Sequence, residues 1–194
     1  MKASELELKA RALNALRADR KISRTSIISS ELPLPERGIR ADLAISTGTR
    51  LIGIEIKSDL DSLRRLDRQL KAYTETFDQT ILLLGEKHAK TITSKNYSDV
   101  HIWAIEGGRI IKIQSPKLIV PRKNPQKNKR EMIEKFNQRF RETSSIFWSN
   151  VSGRKINAND LLPLSRYYEA RTEREKQKQE LINLWASWNK DYQK

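Results

Sequence analysis

Arg40-Ala41-Asp42-Leu43-Ala44-Ile45-Ser46 and Leu51-Ile52-Gly53-Ile54-Glu55-Ile56-Lys57 are joined by Thr47-Gly48-Thr49-Arg50. Both arms alternate with the period of a β-strand. A two-residue turn at Gly48-Thr49, of the kind with glycine in first place, pairs Thr47 with Arg50. The same register sets Asp42 opposite Glu55. One face of this hairpin then carries Leu43, Ile45, Ile52, Ile54 and Ile56, and is expected to be core. The other carries Asp42, Ala44, Gly53, Glu55 and Lys57. Two carboxylates facing each other at about 5 Å between Cβ atoms destabilise a hairpin. A divalent cation between them reverses the sign, because hard cations take carboxylate oxygens. Ala44 and Gly53 are small and leave room for a substrate backbone. The set suits metal-assisted phosphodiester hydrolysis, in which the metal activates a water and a nearby ammonium stabilises developing charge.

Working outward, the hairpin lies in a mixed α/β pattern. Ser4-Glu5-Leu6-Glu7 has the spacing of a capping box, and Leu6, Ala10, Leu13 and Leu16 continue it as a helical stripe to about Asp19. A strand is expected at Ser26–Ser30. A helical pattern runs from Ser58-Asp59-Leu60-Asp61 to about Phe77. Thr80–Leu84 is a short apolar run ended by Gly85, the mark of a buried central strand. Val100–Glu106 and Arg109–Gln114 flank Gly107-Gly108, a hairpin signal. The fold class expected is α/β, a mixed sheet flanked by helices.

Three prolines fall within Pro116–Pro125, and a basic run, Gln126-Lys127-Asn128-Lys129-Arg130, follows. Residues 117–130 therefore read as a basic linker. It separates an α/β domain at residues 1–116 from a helical C-terminal extension at 131–194. In the extension, Ile133, Phe136, Phe140 and Phe147 share one helical face, and Leu181, Leu184, Trp185 and Trp188 another.

The chain has 194 residues, 38 Lys+Arg against 24 Asp+Glu, no cysteine and two histidines. Zero cysteines exclude thiol catalysis, disulfides and thiolate zinc sites. Two histidines leave little material for a His-rich metal site. No apolar run reaches the roughly 18 residues of a membrane span, and the N-terminus lacks the apolar block of a secretory signal; a cytoplasmic protein is expected. The net charge of +14 favours a polyanion, most simply nucleic acid. The excess is concentrated late: residues 117–194 hold 18 basic and 9 acidic side chains.

Asp42 followed by Glu55-Ile56-Lys57 resembles the signature of the PD-(D/E)XK nuclease superfamily, with Ala41 where its proline usually stands. Gln69-Leu70-Lys71-Ala72-Tyr73 resembles the QxxxY motif of the RecB-type branch. The resemblance spans about residues 5–105 and implies a restriction-endonuclease-like core using Mg2+ or Mn2+. It implies Asp42, Glu55 and the Ile56 carbonyl as metal ligands, Glu31 as an auxiliary ligand, and Lys57 as activator of water. Gln69 and Tyr73 would orient these groups; their spacing puts them on one helical face. Arg64, Arg65, Arg68 and Lys71, with Arg122, Lys123, Lys127, Lys129 and Arg130, are candidates to grip phosphates. DNA is favoured over RNA. The competing readings are a catalytically inactive nucleic-acid-binding module, with Tyr167, Tyr168, Trp185 and Trp188 stacking on bases, and an adaptor. In the adaptor the C-terminal helices would dock a protein partner or a second copy.

Overall fold

The computed structural model describes residues 3–34, 38–92, 97–116 and 126–164, with residues 177, 179, 180 and 183 beyond them. Helix α1 (Glu5–Ala18) starts at the expected capping box. The Ser4 amide donates to Glu7 Oε2 at 2.7 Å and the Glu7 amide to Ser4 Oγ at 3.3 Å. Strands β1 (Ile27–Leu34), β2 (Ile39–Ser46) and β3 (Leu51–Lys57) follow, then α2 (Leu66–Thr76), β4 (Gln79–Leu84), α3 (Glu86–Ile92), β5 (Val100–Glu106), β6 (Arg109–Gln114) and α4 (Gln126–Val151). The six strands form one sheet in chain order. β1–β2, β2–β3 and β5–β6 are antiparallel, whereas β3–β4 and β4–β5 are parallel. Parallel neighbours need a crossover, which accounts for α2 and for α3, a helix not expected from the sequence. No described helix is long and apolar enough to cross a membrane.

The β2–β3 register is the one read from the sequence: Leu43 pairs with Ile54, Ala44 with Gly53, Ile45 with Ile52 and Ser46 with Leu51. Gly48 takes a φ of +93°, and the Thr47 amide donates to the Arg50 carbonyl at 3.0 Å, closing the two-residue turn. Leu43, Ile45, Ile52, Ile54 and Ile56 pack against Leu8, Leu13 and Leu16 of α1, so this face is core. β4 is central and buried.

Two expectations are corrected. The helix expected from Ser58 begins at Leu66. Asp61 Oδ2 accepts from the Ser58 amide and hydroxyl at 2.7 and 2.6 Å, and Asp59 Oδ1 accepts from the Lys87 amide at 2.9 Å. These acids close a turn and fasten it to α3 instead of opening a helix. Likewise Gln126–Arg130, expected in the linker, forms the start of α4; residues 117–125 lie outside the described residues.

α4 is built into the α/β body. Its Ile133, Phe136 and Phe140 pack with Ala44, Tyr73 and Phe77 on one face of the sheet. Phe147, Trp148 and Val151 pack with the α1 core on the other. The helix thus wraps the outer margin of β1. Ser144 Oγ accepts from the Ile28 amide at 2.8 Å and donates to its carbonyl at 3.1 Å, and Trp148 Nε1 donates to the Ser26 carbonyl at 2.7 Å. Edge groups that would otherwise lie unpaired are satisfied by side chains. Ser144→Ala removes the partner of two buried backbone groups and is expected to cost about 1–3 kcal/mol in urea unfolding. A loss below about 0.5 kcal/mol, typical of bland surface changes, would refute this account of the edge.

Candidate active site

The site is assembled where β1, β2 and β3 end beside the N-terminus of α1. The β1–β2 pairs Ser30–Leu43 and Leu32–Ala41 place Glu31 across from Asp42, and the β2–β3 register places Asp42 across from Glu55. Three acids therefore stand in a row over three adjacent strands. The regular β2–β3 pairing stops at Leu43–Ile54. Beyond it the Asp42 amide donates to the Tyr73 hydroxyl at 3.0 Å, and the Ile56 amide donates to Asp42 Oδ2 at 2.6 Å. The hairpin opens just where the acids begin.

Glu31 has a φ of +59°. For a residue with a Cβ this left-handed backbone costs roughly 1–2 kcal/mol, and such strain collects at functional positions. Its structural effect is specific. Successive side chains of a regular strand point to opposite faces, yet the ammonium of Lys9 hydrogen-bonds both Ser30 Oγ, at 3.2 Å, and the Glu31 carboxylate. Arg40 stands 3.8 Å from Glu31 Oε2 on the exposed side.

Glu55 is 1% exposed and Lys57 is 7% exposed, and Lys57 Nζ lies 2.8 Å from Glu55 Oε1. That contact is an ion pair, and Tyr73 is the carboxylate's other polar partner. A buried carboxylate with so few partners is costly. Burial, followed by the charge of Glu55, holds the Asp42 carboxyl well above the usual carboxylate range, against the Ile56 amide and Lys9. Burial also raises Glu55, with Lys57 pulling the other way. Tyr73 is fully buried between them, its phenol pushed well up by burial and then by both acids. Its hydroxyl also reaches the Ile54 carbonyl at 3.4 Å.

Asp42, Glu55, Lys57, Tyr73 and Glu31 are thus brought together, and the Ile56 peptide is tied to Asp42. Gln69 lies one turn before Tyr73, half-buried, with its Oε1 buried and without a partner. Glu5 was missed. Read from the sequence as a helix-capping neighbour, it instead offers a carboxylate oxygen that, with one each from Glu31 and Asp42, lies within 4.8 Å of the others. Lys9, 1% exposed and 2.7 Å from Glu5 Oε1, was missed with it. The available signal was its place in line with Leu13 and Leu16 on the buried stripe.

The expected room for a substrate beside Ala44 and Gly53 is absent. Phe77 fills it: a Cβ built on Gly53 would stand 2.2 Å from the Phe77 ring. Arg64, Arg65, Arg68 and Lys71 are exposed, the first two on the turn preceding α2. Lys129 does not join the site. It pairs with Asp78, whose Oδ2 accepts from the Leu51 amide, at the end of β3 remote from Lys57 and roughly 20 Å away by strand rise. Arg130 pairs with Glu134 at 3.3 Å on the exposed face of α4. Lys127 falls in the first turn of α4. Arg122, Lys123, Tyr167, Tyr168, Leu181, Leu184, Trp185 and Trp188 lie outside the described residues. The histidines serve structure: His88 is buried with Nε2 3.0 Å from the Asp61 carbonyl, and burial lowers His101 to about 4.

With this geometry in hand, comparison with known proteins gives a family. A family model described as Bacteriophage P4 protein cII matches residues 1–136. The chain belongs to this family. The cII-family stretch includes every residue of the acidic row and Tyr73, and ends within α4. Protein cII of Enterobacteria phage P4 is 39% identical over 75 residues, which are 39% of this chain and 28% of that relative. The cII relative is therefore matched over less than a third of its length. Among solved structures, the cII-family chain is similar to the SPO1766 protein of unknown function from Silicibacter pomeroyi. That similarity has a TM-score of 0.49 and 15% identity over 76% of this chain and 90% of that one.

The raised carboxyls make a measurable demand on the fold. A folded acid whose pKa lies above its unfolded value of about 4 retains a proton that the unfolded chain has released. Its contribution to stability is therefore full below that unfolded value and is lost as pH rises through the folded one. Without divalent ions, the melting temperature is expected to be higher in mild acid than near pH 8, and Asp42→Asn to flatten that slope. A metal-free profile identical in wild type and Asp42→Asn would contradict the electrostatics described.

Proposed function

We propose that the chain is a divalent-metal-dependent nuclease of PD-(D/E)XK type, hydrolysing phosphodiester bonds with DNA favoured over RNA. The observation that carries this reading is the convergence of half-buried Asp42 and buried Glu55, with Lys57 2.8 Å from Glu55 and the Tyr73 hydroxyl on the Asp42 amide. The residues fit a hard cation. They are oxygen donors, burial raises both carboxyls and the charge of Glu55 raises Asp42 further, a load that a hard cation would relieve.

Asp42 and Glu55, with the Ile56 carbonyl, would hold Mg2+ or Mn2+. A dication bound there supplies Lewis-acid polarisation of a phosphate oxygen and a more acidic water. Lys57, anchored on Glu55, presents an ammonium that orients the attacking water and stabilises charge developing on the phosphate. Tyr73 keeps the opened hairpin in place through the Asp42 amide and the Ile54 carbonyl. Gln69, one turn earlier with a vacant acceptor, aligns with these groups from the same helical face. Exposed Arg64, Arg65, Arg68, Lys71 and Arg40 would hold the flanking phosphates.

A second reading, a non-catalytic nucleic-acid-binding or adaptor protein, is favoured by one observation: Lys9 already neutralises Glu31 and Glu5 without a metal. The discriminating experiment is a cleavage panel of single-stranded, duplex and branched DNA plus RNA, in Mg2+ and Mn2+, with a Lys57 variant as blank. Metal-dependent cleavage absent from the blank is expected. Retention of nucleic acid with no cleavage of any substrate would favour the second reading.

A further inference from the structure

Two groups of acids meet at Asp42. On one side its carboxylate lies across the strands from buried Glu55, whose Oε1 is 2.8 Å from the Lys57 ammonium. On the other it meets Glu5 and Glu31, one oxygen from each of the three lying within 4.8 Å of the others. Paired metal ions in phosphoryl-transfer centres stand about 3.5–4 Å apart and share a bridging carboxylate between them, so an acidic row of this kind has the charge for two.

The second position is already taken from within the chain. Lys9 projects from α1 one turn after Glu5 and is 1% exposed. Its ammonium is 2.7 Å from Glu5 Oε1 and 3.2 Å from Ser30 Oγ, and is paired with Glu31. Its charge also acts on Asp42. A lysine is rarely buried so fully unless it is paired, and the strained backbone of Glu31 is what turns that carboxylate towards it.

We infer that the ammonium of Lys9 is a built-in substitute for a second metal ion, making this a one-ion centre at Asp42 and Glu55, with Glu31 and Glu5 serving Lys9 and not the metal. The inference rests on the proposed metal-dependent function, and revises the part that the sequence resemblance implies for Glu31 from auxiliary ligand to partner of a fixed cation. Lys9 is a positioning residue: it sets the ion count and touches no reacting atom.

The test counts ions, with Mn2+ alone as probe, by titration calorimetry and by the loss of free-ion spin-resonance signal. Wild type is expected to bind one Mn2+ per chain. Lys9→Met, which keeps the apolar stem and removes the charge, is expected to bind two, the second between Glu5, Glu31 and Asp42. In case Lys9→Met folds poorly, Glu31→Gln in the otherwise intact chain gives a second reading. Its Mn2+ affinity should change less than about threefold, whereas loss of a group that supports the ion costs some 10- to 100-fold. Two ions in wild type, one in a folded Lys9→Met, or a tenfold loss in Glu31→Gln would each overturn the substitution. Two ions in wild type would leave the nuclease reading standing; no ion in either chain would overturn both.

Discussion

Lys57→Met is expected, on the proposed nuclease function, to lower metal-dependent cleavage by about a hundred- to a thousandfold, the usual scale for removing one group that stabilises charge in the transition state. Its ammonium is 2.8 Å from Glu55 and nearly buried, so it is aimed at the site by an ion pair and by the strand itself. The same pairing complicates the experiment, because removing one partner of a buried ion pair costs about 3–5 kcal/mol when the other charge is left uncompensated. Glu55 will relieve part of this by taking up a proton. Lys57→Met/Glu55→Gln removes both charges and should unfold in urea close to wild type while remaining inactive. Activity surviving in Lys57→Met at a tenth or more of the wild-type rate would exclude Lys57 from the chemistry.

Gly53→Ala is expected to cost about 3 kcal/mol or somewhat more in urea unfolding. The new Cβ would stand 2.2 Å from Phe77 Cδ2 and 2.6 Å from two further ring atoms. Phe77 has little freedom to yield: it is fully buried, and its ring centroid lies 5.3 Å from that of Tyr73. A ring pushed aside would press on the phenol that holds the Asp42 amide, so cleavage should fall along with stability. Phe77→Leu in the same chain should recover part of the loss, since contacting residues are not additive. A Gly53→Ala chain as stable as wild type would mean that Phe77 does not lie over β3 as described.

The hairpin was legible because two independent signals agreed. Strict alternation fixed which side chains share a face, and Gly48 fixed the turn, so the register of Asp42 and Glu55 followed from local sequence. Phe77 over Gly53 was not legible, because smallness in a strand looks the same whether it admits a ligand or a phenylalanine folded back from the end of α2. Glu5 was hidden for a related reason. An acid in the first turn of a helix already has a local role at the positive end of the helix dipole, and nothing nearby in sequence shows that β1 brings Glu31 to it. Ser58–Asp61 misled because the Ser-Asp pattern that opens helices also closes turns. The linker ended earlier than its charge suggested, since Lys and Arg are good helix formers and Phe136 and Phe140 had a sheet to bury against.

The wrapping of α4 around β1 has a consequence for self-association. Stacks of sheets that lengthen without limit need every unit to have two receptive margins, one to accept and one to offer. Here Ser144 and Trp148 occupy the main-chain groups of Ile28 and Ser26 on one rim, while among the described residues β6 pairs with β5 alone and carries exposed Ile111 and Ile113 on the opposite rim. Growth of the sheet by backbone pairing is therefore blocked on that rim at Ile28 and Ser26, where side chains of the same chain already stand in for a neighbouring strand.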